Sequence, residues 1–293
     1  MGFNPASPSS MERSAFRAVQ DARAALRYLV HYADHFQIDT SEIYIGGTSA
    51  GAITALNLAY MDKNQIFESS DGAWWRFQQD LGSLDGNTNS LKEKFSIKAA
   101  INMWGAVHDT SIIDKNDQIP LISFHGDRDR IVPIQHNYPF MDLDTSYTQY
   151  ILNKLYGSMT VHEQLSKFGI ENELHVFEDK DHEPQLGKDT YFDQKVIDFI
   201  DEETKIFLWD QLVPEVEIMK SAQKENFYLC IHDQHYPGAK FYWKIHNGVI
   251  LDQNCDHNNI QVLWFDGESK GSIDLKMITA VGARAETVLH EKL

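Results

Sequence analysis

Three short segments carry residues whose types and spacing could open a carboxylic ester or amide. The first is Gly47-Thr48-Ser49-Ala50-Gly51, a G-x-S-x-G run between a predicted short strand, Ile43 to Ile45, and a predicted helix, Ala52 to Met61. A serine at such a turn is held in strained backbone geometry with its hydroxyl exposed, and flanking glycines let neighbouring chain approach without Cβ clashes. The N-terminus of the following helix directs backbone N–H groups at the spot where an oxyanion would form, and the Ala50 amide is the natural donor. A serine hydroxyl is a weak nucleophile near neutral pH, so a base must take its proton and a third group must orient that base. The second segment, His125-Gly126-Asp127-Arg128-Asp129-Arg130-Ile131-Val132-Pro133, follows a predicted buried strand and supplies Asp129 as the acid. The third, Asp179-Lys180-Asp181-His182-Glu183-Pro184, follows the next predicted strand and supplies His182 as the base.

The elements that must position these residues read as alternating helices and strands. Phe16, Val19, Ala22, Leu26, Leu29 and Val30 recur at helical spacing, which predicts an amphipathic helix over Met11 to Phe36. Buried strands are expected at Ile97 to Met103, Pro120 to Phe124 and Glu173 to Phe177, and helices at about 147–168, broken near Gly157, and at about 192–208. This is the grammar of an α/β protein with a parallel sheet. Residues 62–95 have no clean period and contain Trp74-Trp75, so they read as an insertion that could cover a site. Beyond Val213-Pro214 the texture changes to short strand-like runs: Phe227 to Ile231, Ala239 to Ile245, Gly248 to Leu251, Ile260 to Phe265, Ser272 to Ile278 and Ala285 to Leu289. Gly, Asn and Asp turns separate them, which predicts a small β-sandwich over 213–293 after an α/β domain over 1–212.

Composition removes several classes of function. The 293 residues carry a net charge of −17, of which −14 lies in residues 1–212. Phosphate backbones and anionic lipid headgroups need a basic footprint that this chain does not offer, so nucleic acid and membrane surfaces are disfavoured partners. No apolar run approaches the roughly 18 to 20 residues that span a bilayer, and the N-terminal Met-Gly-Phe-Asn-Pro-Ala-Ser-Pro-Ser-Ser lacks the basic and apolar regions of a secretory signal. Two cysteines, Cys230 and Cys255, exclude a thiolate metal cluster and leave a local bridge open. Cys230 and Trp243 are spaced like the strand-B cysteine and core tryptophan of antibody domains, but Cys255 comes too early to be the inter-sheet partner. Histidines 232, 235, 246 and 257 read as surface residues, and no metal is assigned. His125 reads as a hydrogen-bonded structural histidine and Asp127 as a turn residue.

The chain order Ser49, Asp129, His182 resembles the α/β-hydrolase superfamily over roughly residues 14–209. The run Ala18-Val19-Gln20-Asp21-Ala22-Arg23-Ala24-Ala25-Leu26-Arg27-Tyr28-Leu29, then Phe36-Gln37-Ile38-Asp39, then the G-x-S-x-G run, is similar to the carboxylesterase and feruloyl or acetyl esterase branch. The His-Gly-Asp-x-Asp-x-x-Val-Pro run is a second match, and in that family its second aspartate is the triad acid, which favours Asp129 over Asp127. The resemblance implies a doubly wound, mostly parallel sheet and ester hydrolysis through an acyl-enzyme, on a small-molecule or polysaccharide-linked ester, without a cofactor. Thr48 and Trp104 are candidate substrate contacts, with packing a competing role for Trp104 and for Trp74-Trp75. In the family, several strands and a His-Gly-Gly loop precede the elbow strand, whereas 42 residues precede Ile43 here, so the expectation is an N-terminally shortened sheet lacking part of its oxyanion hole. The stretch from Pro237 to Gly248, with Asn259 to Trp264 and Ala280-Val281-Gly282-Ala283, resembles a PKD-like immunoglobulin-type domain. Such modules imply an exported, cell-surface or periplasmic protein, with surface or carbohydrate contact through the C-terminal domain. The same triad would serve a peptidase, and a catalytically silent binding or adhesion protein is the reading from a different class.

Overall fold

The computed structural model describes residues 8–62, 68–72, 79–86, 88–143, 149–186, 192–232, 236, 238–251, 258–267, 269–280 and 282–292. By internal contacts the chain forms two compact units, Met1–Thr204 and Lys205–Leu293. The division falls within the last helix of the α/β region.

The first unit opens with helix α1 (Pro8–His31) and the single turn α2 (Ala33–Phe36). The expected continuous helix is broken at Tyr32, and Gln37 closes α2 in the left-handed region at φ 56°. Phe16, Val19 and Ala24 are buried on one stripe of α1, as its 3.6-residue period requires. Strand β1 (Tyr44–Thr48), helix α3 (Ala50–Tyr60), strand β2 (Ala99–Met103), the short strand β3 (Ala106–Val107) and strand β4 (Leu121–Gly126) follow. The described parts of the insertion lie against α1: the Gln20 amide donates to the Leu81 and Ser83 carbonyls, and Arg23 and Arg27 reach Asp85. Trp74 and Trp75 lie outside the described residues.

Next come β5 (His136–Asn137), β6 (Leu155–Gly157), α4 (Ser158–Phe168), β7 (Asn172–Phe177) and α5 (Gln194–Leu212). The helix expected over about 147–168 is interrupted: residues 149–151 are helical, the chain then leaves the helix, and α4 begins at Ser158. Leu155–Gly157 instead joins a three-stranded antiparallel sheet ordered β3-β6-β5. Gly157 is the reason: a Cβ there would sit 1.8 Å from the Pro133 carbonyl oxygen, an approach only glycine permits.

The main sheet has four strands in the order β1-β2-β4-β7, all parallel. Its register pairs Thr48 with Met103, Met103 with Phe124 and Gly126 with Phe177, so the chain leaves every strand at the same end of the sheet. In open α/β sheets that carboxyl end is where side chains from separate strands can converge. Side chains alternate along β4. His125 meets Ser158 of α4, whereas Phe124 stacks on His175, whose ring meets Phe199 of α5 edge-on. Helices therefore cover both faces, the doubly wound arrangement expected from the alternation of elements.

In the second unit, β8 (Val216–Lys220), β9 (Phe227–His232), β10 (Lys240–His246), β11 (Gly248–Ile250), β12 (Asn259–Trp264), β13 (Lys270–Ile278) and β14 (Arg284–Lys292) form two antiparallel sheets. Their orders are β10-β13-β14 and β11-β12-β9-β8. Ile218 and Tyr228 from one sheet and Phe241, Trp243 and Leu275 from the other belong to a single buried cluster, so the two sheets share one core. β8 has no counterpart among the expected strands, since Ile218 is its only fully buried residue and gives too little alternation to read. Cys230 is a free thiol, and burial pushes its pKa up to about 11; Cys255 lies outside the described residues.

Candidate active site

Ser49 lies between β1 and α3 with φ 52° and ψ −120°, a backbone conformation that L-residues adopt only when the surroundings enforce it. Two contacts enforce it. The Ser49 N–H donates to the Met103 carbonyl at 2.9 Å, tying the turn to the end of β2. A Cβ on Gly47 would sit 2.5 Å from the Gly51 carbonyl carbon, so β1 and the first turn of α3 approach as closely as glycine allows. A Cβ on Gly51 would meet nothing within 4 Å. Of the two glycines flanking the serine, only Gly47 is sterically required. Ala50 is exposed and is the first residue of α3, where a helix amide has no intrahelical acceptor. Thr48 is exposed beside it, at the end of β1.

The two distant residues expected to act with Ser49 converge on it. His182 Nε2 lies 2.9 Å from Ser49 Oγ, and His182 Nδ1 lies 2.7 Å from Asp129 Oδ2. An ionised carboxylate only accepts hydrogen bonds, so Nδ1 carries the imidazole hydrogen and Nε2 presents its lone pair to the Ser49 hydroxyl. Asp129 is 1% exposed, whereas Asp127 sits exposed on the turn, which is why the former can orient a histidine and the latter cannot. Burial by itself would raise the Asp129 pKa. Hydrogen bonds from His125, His182 and the Val132 amide outweigh it and lower the carboxyl from 3.8 to about 2. Its Oδ1 accepts from both the Ile131 and Val132 amides at 2.9 Å.

Asp181, which has no role in the motif reading, joins the loops carrying acid and base. Its Oδ1 accepts from the Arg130 amide at 3.0 Å and from the His182 amide at 2.8 Å, while Oδ2 accepts from Arg130 Nε at 2.6 Å. Burial of Asp181 works against its ionisation, but the Arg130 guanidinium and the two amides prevail and hold its carboxyl below the usual range. The Arg128 amide donates to the Lys180 carbonyl at 2.9 Å, and a Cβ on Gly126 would collide with that carbonyl at 2.4 Å. Asp-Lys-Asp-His reads in sequence as a polar turn, so its charge pattern alone does not say which aspartate faces inward.

Trp104, a candidate substrate contact with packing as its competing role, is buried. It lies just past β2 with φ 48°, is 2% exposed, and its ring meets the His182 imidazole edge-on at 6.5 Å between centroids. It packs against the base, and its indole Nε1 has no hydrogen-bond partner among the described residues. Behind the acid lies a buried polar chain. Asn102 Nδ2 donates to Ser123 Oγ at 3.0 Å and to Ser158 Oγ at 2.8 Å, and Ser158 Oγ lies 2.6 Å from His125 Nδ1. Scattered along the sequence as lone polar residues, these carry no motif, and only the sheet register brings them together.

Among the described residues, the group whose spacing suits a metal ion is Glu173 and His175 of β7 with Glu203 of α5, their ligand atoms within 4.8 Å of one another. It is separate from the Ser49 cluster, and neither His232 nor His246 belongs to it; His235 and His257 lie outside the described residues. No helix among the described residues is long and apolar enough to cross a membrane.

Comparison with known proteins gives partial matches. The BD-FAE family matches residues 8–113, which include Ser49 and exclude Asp129 and His182. No curated protein matches the chain. A thermophilic esterase of the Planctomycetes species Thermogutta terrifontis, with propionate bound, is 19% identical, with 64% of each chain covered and a TM-score of 0.40. Thermogutta terrifontis esterase 2 phosphorylated by paraoxon is 18% identical, over 66% of this chain and 62% of that one, with a TM-score of 0.41. The carboxylesterase Cest-2923 from Lactobacillus plantarum WCFS1 is 13% identical, over 66% of this chain and 67% of that one, with a TM-score of 0.43. The chain thus spans somewhat less than two thirds of the length of the two Thermogutta structures.

Proposed function

We propose that the chain is a serine hydrolase that cleaves carboxylic esters through an acyl-enzyme. The observation that carries this reading is the unbroken hydrogen-bonded series from Ser49 Oγ through His182 to Asp129, starting from a serine held at positive φ. His182 Nε2 takes the Ser49 proton as Oγ attacks the ester carbonyl. The negative charge that develops on the carbonyl oxygen is met by the Ala50 amide at the head of α3. Asp129, already ionised and held by the Ile131 and Val132 amides, stabilises the imidazolium without taking its proton. The imidazolium then protonates the leaving alcohol, a water enters, and His182 acts again as base to release the acid. None of these steps draws on a cofactor.

Preference for esters is supported by the resemblance of the 18–51 and 125–133 runs to the esterase branch and by the BD-FAE match. The substrate class is a small-molecule or polysaccharide-linked ester. Residues 213–293 are read as a PKD-like, immunoglobulin-type module that contacts a surface or carbohydrate in an exported protein; two antiparallel sheets around one core support that reading.

Fluorophosphonate labelling read by intact mass, with Ser49→Ala beside the parent, tests the nucleophile without requiring the natural substrate. The expected result is one adduct, lost in Ser49→Ala, with turnover of short-chain p-nitrophenyl esters. A folded parent that takes up no adduct overturns the proposal.

A further inference from the structure

The inference concerns His125, which lies outside the Ser49-His182-Asp129 series and is fully buried. Its Nε2 lies 3.0 Å from the Val132 carbonyl oxygen and 3.2 Å from Asp129 Oδ2. Both neighbours are acceptors, so Nε2 must carry a hydrogen. On the other side of the ring, Nδ1 faces Ser158 Oγ, which is held in turn by Asn102. Asp129 Oδ2 therefore faces two imidazoles, His182 from the loop after β7 and His125 from β4, while two amides fill Oδ1. Three donors hold the carboxylate, and the single His125 Nε2–H, whose nearer acceptor is the Val132 carbonyl, is shared with Oδ2. A carboxylate held by two amides on Oδ1 cannot rotate to shed His182 without leaving a buried amide unpaired, which is costly.

We propose that His125 is a positioning residue for the hydrolytic site: its Nε2–H, shared between the Val132 carbonyl and Asp129 Oδ2 and anchored through Ser158 and Asn102, helps fix the carboxylate and limits how much of its charge reaches His182. This rests on the hydrolase reading of Ser49. The donated hydrogen withdraws charge from the oxygen that His182 uses, so its loss leaves Asp129 better able to stabilise a protonated His182. Loss of the donor consequently raises the pH at which the base becomes available. The charged and titratable groups around His182 are Asp129 and Arg130 from the loop after β4, His125 from β4, and Lys180, Asp181 and Glu183 on its own loop. Arg130 is tied to Asp181 and Asp142, and Lys180 to Asp193. Ser49 and Trp104 complete the surroundings of the ring.

Two amide variants separate positioning from packing, because they share their chemistry and differ in reach. In His125→Gln the amide nitrogen can occupy the Nε2 place and donate to Asp129. In His125→Asn it reaches only the Nδ1 place, beside Ser158. The readout is the pH dependence of fluorophosphonate labelling at Ser49. His125→Gln is expected to keep the parent profile, whereas His125→Asn labels about tenfold more slowly with its acid limb moved up by about half to one pH unit. Identical profiles for the two folded variants overturn the proposal. Nitrogen-15 spectra of the parent and of Asp129→Asn, selectively labelled at histidine, decide the matter independently of how the His125 variants fold. A hydrogen on His125 Nε2 whose resonance shifts in Asp129→Asn supports the assignment, and a bare Nε2 or a resonance indifferent to Asp129→Asn refutes it. A parent that never labels at Ser49 defeats the hydrolase reading, while the nitrogen-15 result still reports on the donor.

Discussion

Alanine placed at each glycine of the G-x-S-x-G run should give opposite results, although the pattern treats the two positions alike. In Gly47→Ala the new methyl lies 2.5 Å from the Gly51 carbonyl carbon, 2.7 Å from its oxygen and 2.8 Å from the Ala52 nitrogen. All three are backbone atoms of α3 and cannot swing aside as a side chain would. Relief requires β1 and α3 to separate, which carries Ser49 away from His182. Overpacking of this kind costs typically 1 to 3 kcal/mol, and an immovable backbone puts this case at about 3 kcal/mol. For a unit of this size that lowers Tm by about 6 to 12 °C. In Gly51→Ala the methyl meets nothing within 4 Å, on a helical residue, where alanine is favoured over glycine by up to about 1 kcal/mol. Thermal unfolding with fluorophosphonate labelling on the same samples reads both effects. Gly47→Ala is expected to unfold early and label Ser49 at least about a hundredfold more slowly, and Gly51→Ala to equal or exceed the parent in stability and to match it in rate. A Gly47→Ala protein within 2 °C of the parent by Tm and labelled at the parental rate would refute the close-approach argument.

Asp129 carries a pH signature of stability. Its folded pKa is depressed from 3.8 to about 2, so its contribution, about 2 kcal/mol, is fully present above pH 4 and is lost as pH falls through that window. Denaturant unfolding at pH 5 and pH 2.5 should show Asp129→Asn losing less stability over that interval than the parent. Asp181→Asn should change stability by under about 1 kcal/mol, since its ion pair with Arg130 is partly exposed. By loosening the joint between the acid and base loops, it should also slow Ser49 labelling by roughly tenfold, measured at saturating pH. Tyr60→Phe removes the hydroxyl that donates to the Ile119 carbonyl at 2.8 Å and should cost about 1 kcal/mol in urea unfolding with labelling unchanged.

Strand-length apolar runs, a glycine-flanked serine and an acid-bearing loop in the right order made the four parallel strands and the candidate site legible, because local patterning dictates each of them. Residues 155–157 were not legible. Their strand exists only because β3 and β5 lie alongside and Gly157 fits against Pro133, neither of which periodicity records. β8 was hidden for a related reason, since a strand with a single buried residue shows no alternation.

The amino-acid order by itself determined which groups could react: a serine at a sharp strand-to-helix turn, a carboxylate after the third main-sheet strand and a histidine after the fourth. It also set the net charge that disfavours anionic partners. Tertiary structure alone decided that these groups meet, because Ser49 and His182 are 133 residues apart and only the parallel register brings their strand ends together. It likewise decided that Asp129 faces inward and Asp127 outward, that Trp104 supports the imidazole from within the core, and that His125 shares an oxygen with the base. Burial and hydrogen-bond direction are properties of distances between remote segments, and a linear pattern does not contain those distances.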